Sequence, residues 1–139
     1  MIIETGSVEQ TRAFGARLAK AAKPGDIFAL NGDLGCGKTE LVRGFVLGIA
    51  PGVSVQSPTF SIVNVYNTPR FFVYHFDFYR LCEVGELDQT GFEEYISSDG
   101  VCLIEWADMF AQVLPENTLS VRLLDTGIYT RRIETDFEL

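Results

Sequence analysis

The sequence contains one glycine-rich octapeptide that indicates its class of fold, Gly32-Asp33-Leu34-Gly35-Cys36-Gly37-Lys38-Thr39. It matches the pattern G-x-x-x-x-G-K-[S/T], which cradles phosphate groups. Glycine lets the backbone turn with positive φ and approach an anion closely, and the amides that open the following helix favour negative charge. In this pattern Lys38 reaches the outer phosphates and the Thr39 hydroxyl ligates Mg²⁺. The octapeptide therefore predicts a loop that holds the phosphates of Mg-ATP.

The segments around the octapeptide meet the context that a phosphate loop needs. Residues 27–30 are a short apolar run, which is typical of a buried strand, and residues 38–49 have the pattern of a helix. A further helix is predicted at residues 9–22, with Ser7 as its N-cap. A strand before the loop and a helix after it are what the pattern requires.

The rest of the chain predicts a mixed sheet. β-Branched and aromatic residues predict an antiparallel hairpin from residues 60–66 and 71–78. The remaining predicted elements are short helices within residues 83–96, a buried strand at 101–104, a helix at 107–114, and strands at 119–123 and 130–137. Together they predict an α/β fold, a P-loop NTPase-like three-layer domain with a mixed β-sheet and an antiparallel hairpin. We expect a single domain over residues 1–139.

Composition favours a packed core and no membrane span. Apolar residues make up 47% of the chain and charged residues 22%, and no apolar run reaches the ~18–20 residues that a membrane helix needs. The N-terminus lacks the pattern of a secretory signal, so we expect a cytoplasmic protein. Three separated cysteines and one histidine predict neither a disulfide framework nor a zinc site.

The charge balance bears on nucleic-acid binding. The net charge is −8, and the 11 basic residues are scattered along the chain. A protein that binds nucleic acid by itself usually presents a basic face. We therefore expect no strong direct binding to RNA or DNA, tRNA included.

A carboxylate at the end of a neighbouring strand usually completes the Mg²⁺ site of a phosphate loop. Glu105 follows the apolar run 101–104, and Asp77 lies near the end of the run 71–76. The run before Glu105 is uniformly apolar and predicts a central strand. Glu105 is therefore the stronger candidate, but the pattern leaves both acids open as the direct metal ligand.

Four motifs in a fixed order resemble the TsaE family. They are the octapeptide, Ser57-Pro58-Thr59-Phe60, His75-Phe76-Asp77-Phe78-Tyr79-Arg80 and Ile104-Glu105-Trp106. The resemblance runs from about Ser7 to the C-terminus. It implies the ATPase needed for threonylcarbamoyladenosine (t6A) formation on tRNA. It also implies two partner proteins, TsaB and TsaD, of which TsaD performs the carbamoyl transfer.

The resemblance implies roles for individual residues. Lys38 would hold phosphate, and Thr39 and Glu105 would ligate Mg²⁺. Asp77 would assist hydrolysis through the metal or the attacking water, which makes Lys38, Asp77 and Glu105 the catalytic set. Residues 57–60 would form a nucleotide-sensitive switch. The implied ATP-binding residues are Thr11 beside the adenine, Trp106 beside the nucleotide, and Gly32, Asp33, Leu34, Gly35, Cys36, Gly37, Lys38, Thr39 and Glu40 along the loop.

Two residues of the loop region depart from the family's usual pattern. Cys36 stands where a small residue such as alanine is commoner, and Glu40 stands where a second hydroxyl residue is usual. Glu40 suits the first turn of a helix electrostatically. We nevertheless expect its charge near phosphate to weaken ATP binding.

Other polar residues receive mainly structural interpretations. His75 is a lone histidine on a predicted strand, where a structural role is commoner than a catalytic one. Arg80 is ranked as structural first, with pairing to Asp77 or a role as a transition-state cation as the alternative. One of Arg131 and Arg132 is a candidate to reach the nucleotide or a partner.

Two other functions share the octapeptide. A small-molecule P-loop kinase usually closes an arginine-bearing lid on the phosphates, and no basic lid appears in this sequence. A nucleotide-gated binding subunit with negligible hydrolysis would carry the same motifs. We expect an ATPase that is slow alone and depends on its partners, because no water-positioning group is evident.

Overall fold

The computed structural model describes residues 1–33, 37–58 and 61–138. Within these residues the strands are β1 (Ile2–Thr5), β2 (Ile27–Asn31), β3 (Val63–Asn67), β4 (Phe72–Asp77), β5 (Val101–Glu105), β6 (Leu119–Asp125) and β7 (Arg131–Thr135). The helices are α1 (Val8–Ala21), α2 (Lys38–Ile49), α3 (Val84–Asp88) and α4 (Phe92–Ile96), with a 3₁₀ segment at Ala107–Val113.

The described strands form one mixed sheet in the order β1-β7-β6-β2-β5-β4-β3. The central strands β6, β2, β5 and β4 run parallel, and each edge is an antiparallel pair. Parallel strands in the middle bring the ends of β2, β4 and β5 to one edge of the sheet. The predicted α/β fold, its mixed sheet and the β3–β4 hairpin are confirmed.

Apolar side chains cover both faces of the sheet, which gives three layers. On one face, α1 and α2 pack through Leu18 and Phe45 against Phe28 of β2. On the other face, α3 and α4 pack through Leu87 and Phe92 against β2, β4 and β5. Neighbouring β2 residues alternate between the two cores because strand side chains point to opposite faces.

Helices α1 and α2 approach each other very closely. A Cβ atom placed on Gly44 of α2 would collide with the backbone of Arg12 in α1, and one placed on Gly15 would collide with the carbonyl of Leu41. Only a hydrogen atom fits at these positions. The glycines therefore fix how α2, the helix that follows the phosphate loop, lies against α1.

Several element boundaries differ from the predictions. The sequence did not predict β1, which pairs with β7 at the sheet edge. β3 begins at Val63 because Ile62 has a left-handed backbone (φ 71°) that cannot continue a strand. The segment predicted as a helix at 107–114 is a 3₁₀ segment with a non-helical residue at Phe110. The Ser7 cap of α1 is confirmed by its side chain, which accepts from the Gln10 amide at 3.1 Å.

Among the residues that the structure describes, no helix has both the length and the apolar composition needed to cross a bilayer.

Candidate nucleotide-binding site

The phosphate loop joins the end of β2 to the start of α2, as the pattern requires. Gly32 and Gly37 have positive φ values of 151° and 101°, and Gly37 is the N-cap of α2. Both values lie where side chains are strained, so glycine is needed at each. The first amides of α2 have no partner within the helix and are suited to an anion. Leu34, Gly35 and Cys36, predicted as ATP-binding, lie outside the described residues.

Lys38 is buried to 4% exposure at the start of α2. Its Nζ donates to the carbonyl oxygens of Gly32 and Asp33, the second at 3.0 Å. Nζ also lies 4.0 Å from the centroid of the Trp106 ring. The predicted phosphate-binding lysine thus contacts the backbone at the start of its own loop.

Thr39 and Glu105, the two predicted metal ligands, are in direct contact. The Oγ1 of Thr39 lies 3.1 Å from each carboxylate oxygen of Glu105. Thr39 is in the first turn of α2, and Glu105 ends the central strand β5, so the fold brings residues 66 positions apart to one point. Hydroxyl and carboxylate oxygens are ligands that Mg²⁺ prefers, and phosphate oxygens commonly complete such a site. The two side chains fit that ion.

Asp77, the alternative acid, lies beside Glu105. The two are register partners at the ends of β4 and β5, so their side chains leave the same face of the sheet. Asp77 is buried, and its Oδ1 accepts from the Tyr79 amide at 2.9 Å. Both candidate acids are therefore at the edge where Thr39 lies.

Trp106 covers the site from the side of the 3₁₀ segment. Its backbone is left-handed (φ 57°), an uncommon conformation for a residue with a large side chain. Its amide donates to the Leu30 carbonyl at 3.1 Å, which fixes it beside β2. The ring lies against Lys38 on one side and has its centroid 4.9 Å from that of Tyr79. Such local strain is typical of functional sites.

A cleft of about 130 Å³ opens beside Gly37. Its lining includes three predicted ATP-binding residues, Thr11, Gly37 and Glu40. It also includes Tyr129, which the sequence analysis did not single out, and Arg131, which it named only as a candidate. Thr11 is buried, and its Oγ1 lies 2.9 Å from the hydroxyl of Thr5. The fold thus brings α1 and the β6–β7 hairpin to the same side of the loop.

Glu40 is paired rather than isolated. Its Oε2 accepts from Arg12 Nε at 2.6 Å, and its other oxygen accepts from Arg43. Partial burial alone raises the pKa of Glu40, but the hydrogen bonds from the two arginines outweigh it, and the pKa lies below its ordinary value of 4.5. Arg43 also donates to the Val55 carbonyl at 3.2 Å. The charge of Glu40 is therefore compensated within the chain.

His75, which the sequence analysis interpreted as structural, lies in direct contact with the site. It is completely buried on β4, and its Nε2 lies 2.5 Å from Oε2 of Glu105. Strand alternation contained a signal, because His75 and Asp77 are two residues apart and share a face. Nothing in the sequence showed that this face meets Glu105, since that depends on the register between β4 and β5.

The remaining candidates are arginines, of which only Arg131 lines the cleft beside Gly37. Arg80 is exposed after β4. Arg131 Nε lies 3.0 Å from Asp125 Oδ1, and Arg132 Nε lies 3.3 Å from Glu134 Oε2. Of the predicted switch loop, Thr59 and Phe60 lie outside the described residues. Among those described, no group of three or more His, Cys, Asp or Glu side chains could hold a metal by itself.

A strand–loop–helix with positive-φ glycines, a buried lysine, and a threonine that contacts an acid on the neighbouring central strand defines a protein of the P-loop NTPase-like class. The family model "Threonylcarbamoyl adenosine biosynthesis protein TsaE" matches residues 5–133. The chain belongs to the TsaE family, whose members act in tRNA threonylcarbamoyladenosine biosynthesis.

Individual relatives agree with this family. The chain is 40% identical over 129 residues to the tRNA threonylcarbamoyladenosine biosynthesis protein TsaE of Bacillus subtilis. The aligned region covers 93% of this chain and 80% of the relative. It is 45% identical over 94 residues to TsaE of Haemophilus influenzae, covering 68% of this chain and 60% of the relative. The crystal structure of YdiB from Bacillus subtilis superimposes with a TM-score of 0.83 at 35% identity, covering 97% and 83% of the two chains.

Proposed function

We propose that this protein is a Mg²⁺-dependent ATPase whose cycle drives a TsaB–TsaD complex in t6A formation. One observation carries the proposal: the hydroxyl of Thr39 lies against the carboxylate of Glu105, directly beside Lys38. Family membership alone supports a place in tRNA modification. The arrangement of these three side chains supports nucleotide chemistry within it.

Each side chain has a definite task in this proposal. Lys38 exchanges its backbone acceptors for the oxygens of the outer phosphates, a charge-assisted interaction that is stronger than a neutral hydrogen bond. Thr39 and Glu105 would hold Mg²⁺ through oxygen, and the ion would supply positive charge beside the phosphate oxygens when bound. Asp77, beside Glu105 at the end of β4, orients the water that attacks the terminal phosphorus. The amides at the start of α2 stabilise the charge that remains on the phosphates.

Slow turnover in isolation is part of the proposal. Phosphoryl transfer depends largely on positioning and on added positive charge, which a partner often supplies. With a net charge of −8, the chain has few cations for contacts with tRNA phosphates. We therefore assign tRNA contact to the partner complex, and to this chain the nucleotide-dependent change that acts on it. The exposed apolar residues Ile128 and Tyr129, beside the cleft at Gly37, are available to a partner.

The test measures ATP turnover and nucleotide affinity together, alone and with TsaB and TsaD. Glu105→Gln should lose most Mg²⁺-dependent hydrolysis, while ADP affinity without Mg²⁺ is retained because the loop amides remain. Asp77→Asn is the matched variant on the neighbouring strand. It should lose hydrolysis, while its nucleotide binding depends on Mg²⁺ as in the wild type. If Asp77→Asn instead loses the Mg²⁺ dependence, the metal ligand is wrongly assigned.

The same assay separates the alternative functions. Phosphate transfer from ATP to an added nucleoside or nucleotide would identify a kinase and contradict the proposal. ATP binding without turnover, even in the presence of TsaB and TsaD, would identify a nucleotide-gated binding subunit. Free phosphate released in proportion to t6A formed is the result that the proposal predicts.

A further inference from the structure

His75 is held at the centre of the site without any exposure to solvent. It is 0% exposed, and its Nε2 lies 2.5 Å from Oε2 of Glu105. Parallel register pairs His75 with Leu103 and Asp77 with Glu105, so the imidazole reaches along the sheet to the acid two positions beyond its own partner. All of these side chains lie on the face that α2 covers.

The two ring nitrogens of His75 have different surroundings. Nε2 faces the Glu105 carboxylate, whereas Nδ1 is buried and has no hydrogen-bonding partner within the described part of the chain. A proton on Nδ1 would be a buried donor without an acceptor, which is costly. The ring therefore carries its proton on Nε2 and donates it to Oε2 of Glu105.

Glu105 has two described side-chain donors of unequal rigidity. The Thr39 hydroxyl rotates about its C–O bond and lies at 3.1 Å from either oxygen, so it selects neither. The imidazole is fixed by burial, and of the two carboxylate oxygens it contacts only Oε2. A buried carboxylate with one directional donor keeps one orientation.

We propose that His75 is a positioning residue that holds Glu105 against Thr39 and so sets the affinity of the site for Mg²⁺. The inference rests on the proposed function, because it assigns Glu105 to the metal. Partners that orient ligating side chains are worth about 10- to 100-fold in metal affinity or activity. His75 itself would touch neither the ion nor the phosphates.

The first test measures the Mg²⁺ concentration that half-saturates ADP binding, which needs no hydrolysis. His75→Leu removes the donor and should raise that concentration about 10- to 100-fold, while ADP affinity in EDTA stays unchanged. His75→Gln should lie closer to the wild type, because its amide nitrogen is as many bonds from Cβ as Nε2 of histidine. Phe76→Leu is the matched control, since Phe76 is equally buried on the opposite face of β4.

The second test needs no variant. His75 is the only histidine of the chain, so a tag-free sample gives one imidazole in a long-range ¹H–¹⁵N spectrum. The inference predicts a protonated Nε2 and a bare Nδ1, with the Nε2 signal shifted in Glu105→Gln. A proton on Nδ1 would overturn the inference even if His75→Leu fails to fold.

The remaining outcomes are also decisive. An unchanged Mg²⁺ requirement in folded His75→Leu, or an equal rise in Phe76→Leu, would overturn the positioning role and leave the ATPase proposal intact. If wild-type protein binds ADP and ATP without any Mg²⁺ dependence, the proposed metal site itself fails. That result would remove both proposals, and it is recognised before any His75 variant is made.

Discussion

The ammonium group of Lys38 lies 4.0 Å from the centroid of the Trp106 ring. A cation over an indole face is an attractive arrangement, and here the left-handed backbone of Trp106 and the neighbouring Tyr79 ring hold the indole in place. The residue predicted to hold phosphate is therefore in contact with the one aromatic residue predicted beside the nucleotide. Any ligand that draws Lys38 toward its phosphates must change the surroundings of the indole.

Mg-ATP should accordingly change the emission of Trp106, the only tryptophan of the chain. The change should saturate with the same dissociation constant as calorimetry gives, because both report one binding event. Trp106→Phe should bind nucleotide without the optical signal. Saturable binding in a calorimeter with constant wild-type emission would contradict the contact between Lys38 and the indole.

Glu40 should contribute to stability only above acidic pH. Its pKa is lowered on folding, so the unfolded chain binds the proton more readily between the two pKa values. The stabilisation is therefore complete above the ordinary value of 4.5 and is lost as the pH falls through the folded-state pKa. Glu40→Gln should unfold at lower denaturant than the wild type at neutral pH, and the difference should vanish in strong acid.

A variant of Arg12, the partner of Glu40 on α1, provides the control for this loss of stability. Arg12→Gln should cause a similar loss at neutral pH, and the double variant should lose less than the sum of the two single losses. Additive losses would show that the Arg12–Glu40 pair does not account for the lowered pKa of Glu40.

Gly44→Ala should destabilise the fold. The added Cβ would collide with the backbone of Arg12, and overpacking of this kind costs about 1–3 kcal/mol. Gly85→Ala is the matched control on helix α3, because its Cβ would meet only Glu83 Oε1 at 3.8 Å. That change should be neutral or stabilising. Urea denaturation measures both, and equal stability of the two variants would contradict the close packing of α1 on α2.

The cysteines should react very unequally with a thiol reagent. Burial raises the pKa of Cys102 to about 12, so almost no thiolate is present at pH 8 and its thiol is buried as well. Cys82 is exposed and should be labelled readily. Cys36 lies outside the described residues; because it belongs to the phosphate loop, we predict that bound nucleotide shields its thiol from alkylation. Mass spectrometry after brief alkylation checks this order, and rapid labelling of Cys102 in folded protein would contradict its burial.

The sequence predicted the elements around the phosphate loop well because their signals are local. The glycines of the octapeptide, the Ser7 cap and the apolar runs of β2 and β5 each act within a few residues. The pattern predicted only that an acid at a neighbouring strand end would lie near Thr39, and it left Glu105 and Asp77 both open.

Features that depend on register between distant segments could not be predicted. β1 is a strand only because β7 pairs with it, and His75 meets Glu105 only because β4 and β5 are parallel with one particular offset. The pairing of Glu40 is of the same kind, because Arg12 lies 28 residues away on another helix. The expectation that the charge of Glu40 weakens ATP binding was made without knowledge of its pairing with Arg12 and Arg43.

Calorimetric titration of Mg-ATP into wild-type protein and Lys38→Ala measures whether the octapeptide Gly32–Thr39 binds ATP. The wild type should bind one nucleotide, and Lys38→Ala should bind roughly 10- to 150-fold more weakly, the worth of one hydrogen bond to a charged group. Lys38→Met retains the apolar stem beside Trp106 and should be equally weak, whereas Lys23→Ala, which removes an exposed lysine after α1, should bind normally. Wild-type affinity in folded Lys38→Ala and Lys38→Met would contradict the assignment of this loop to ATP.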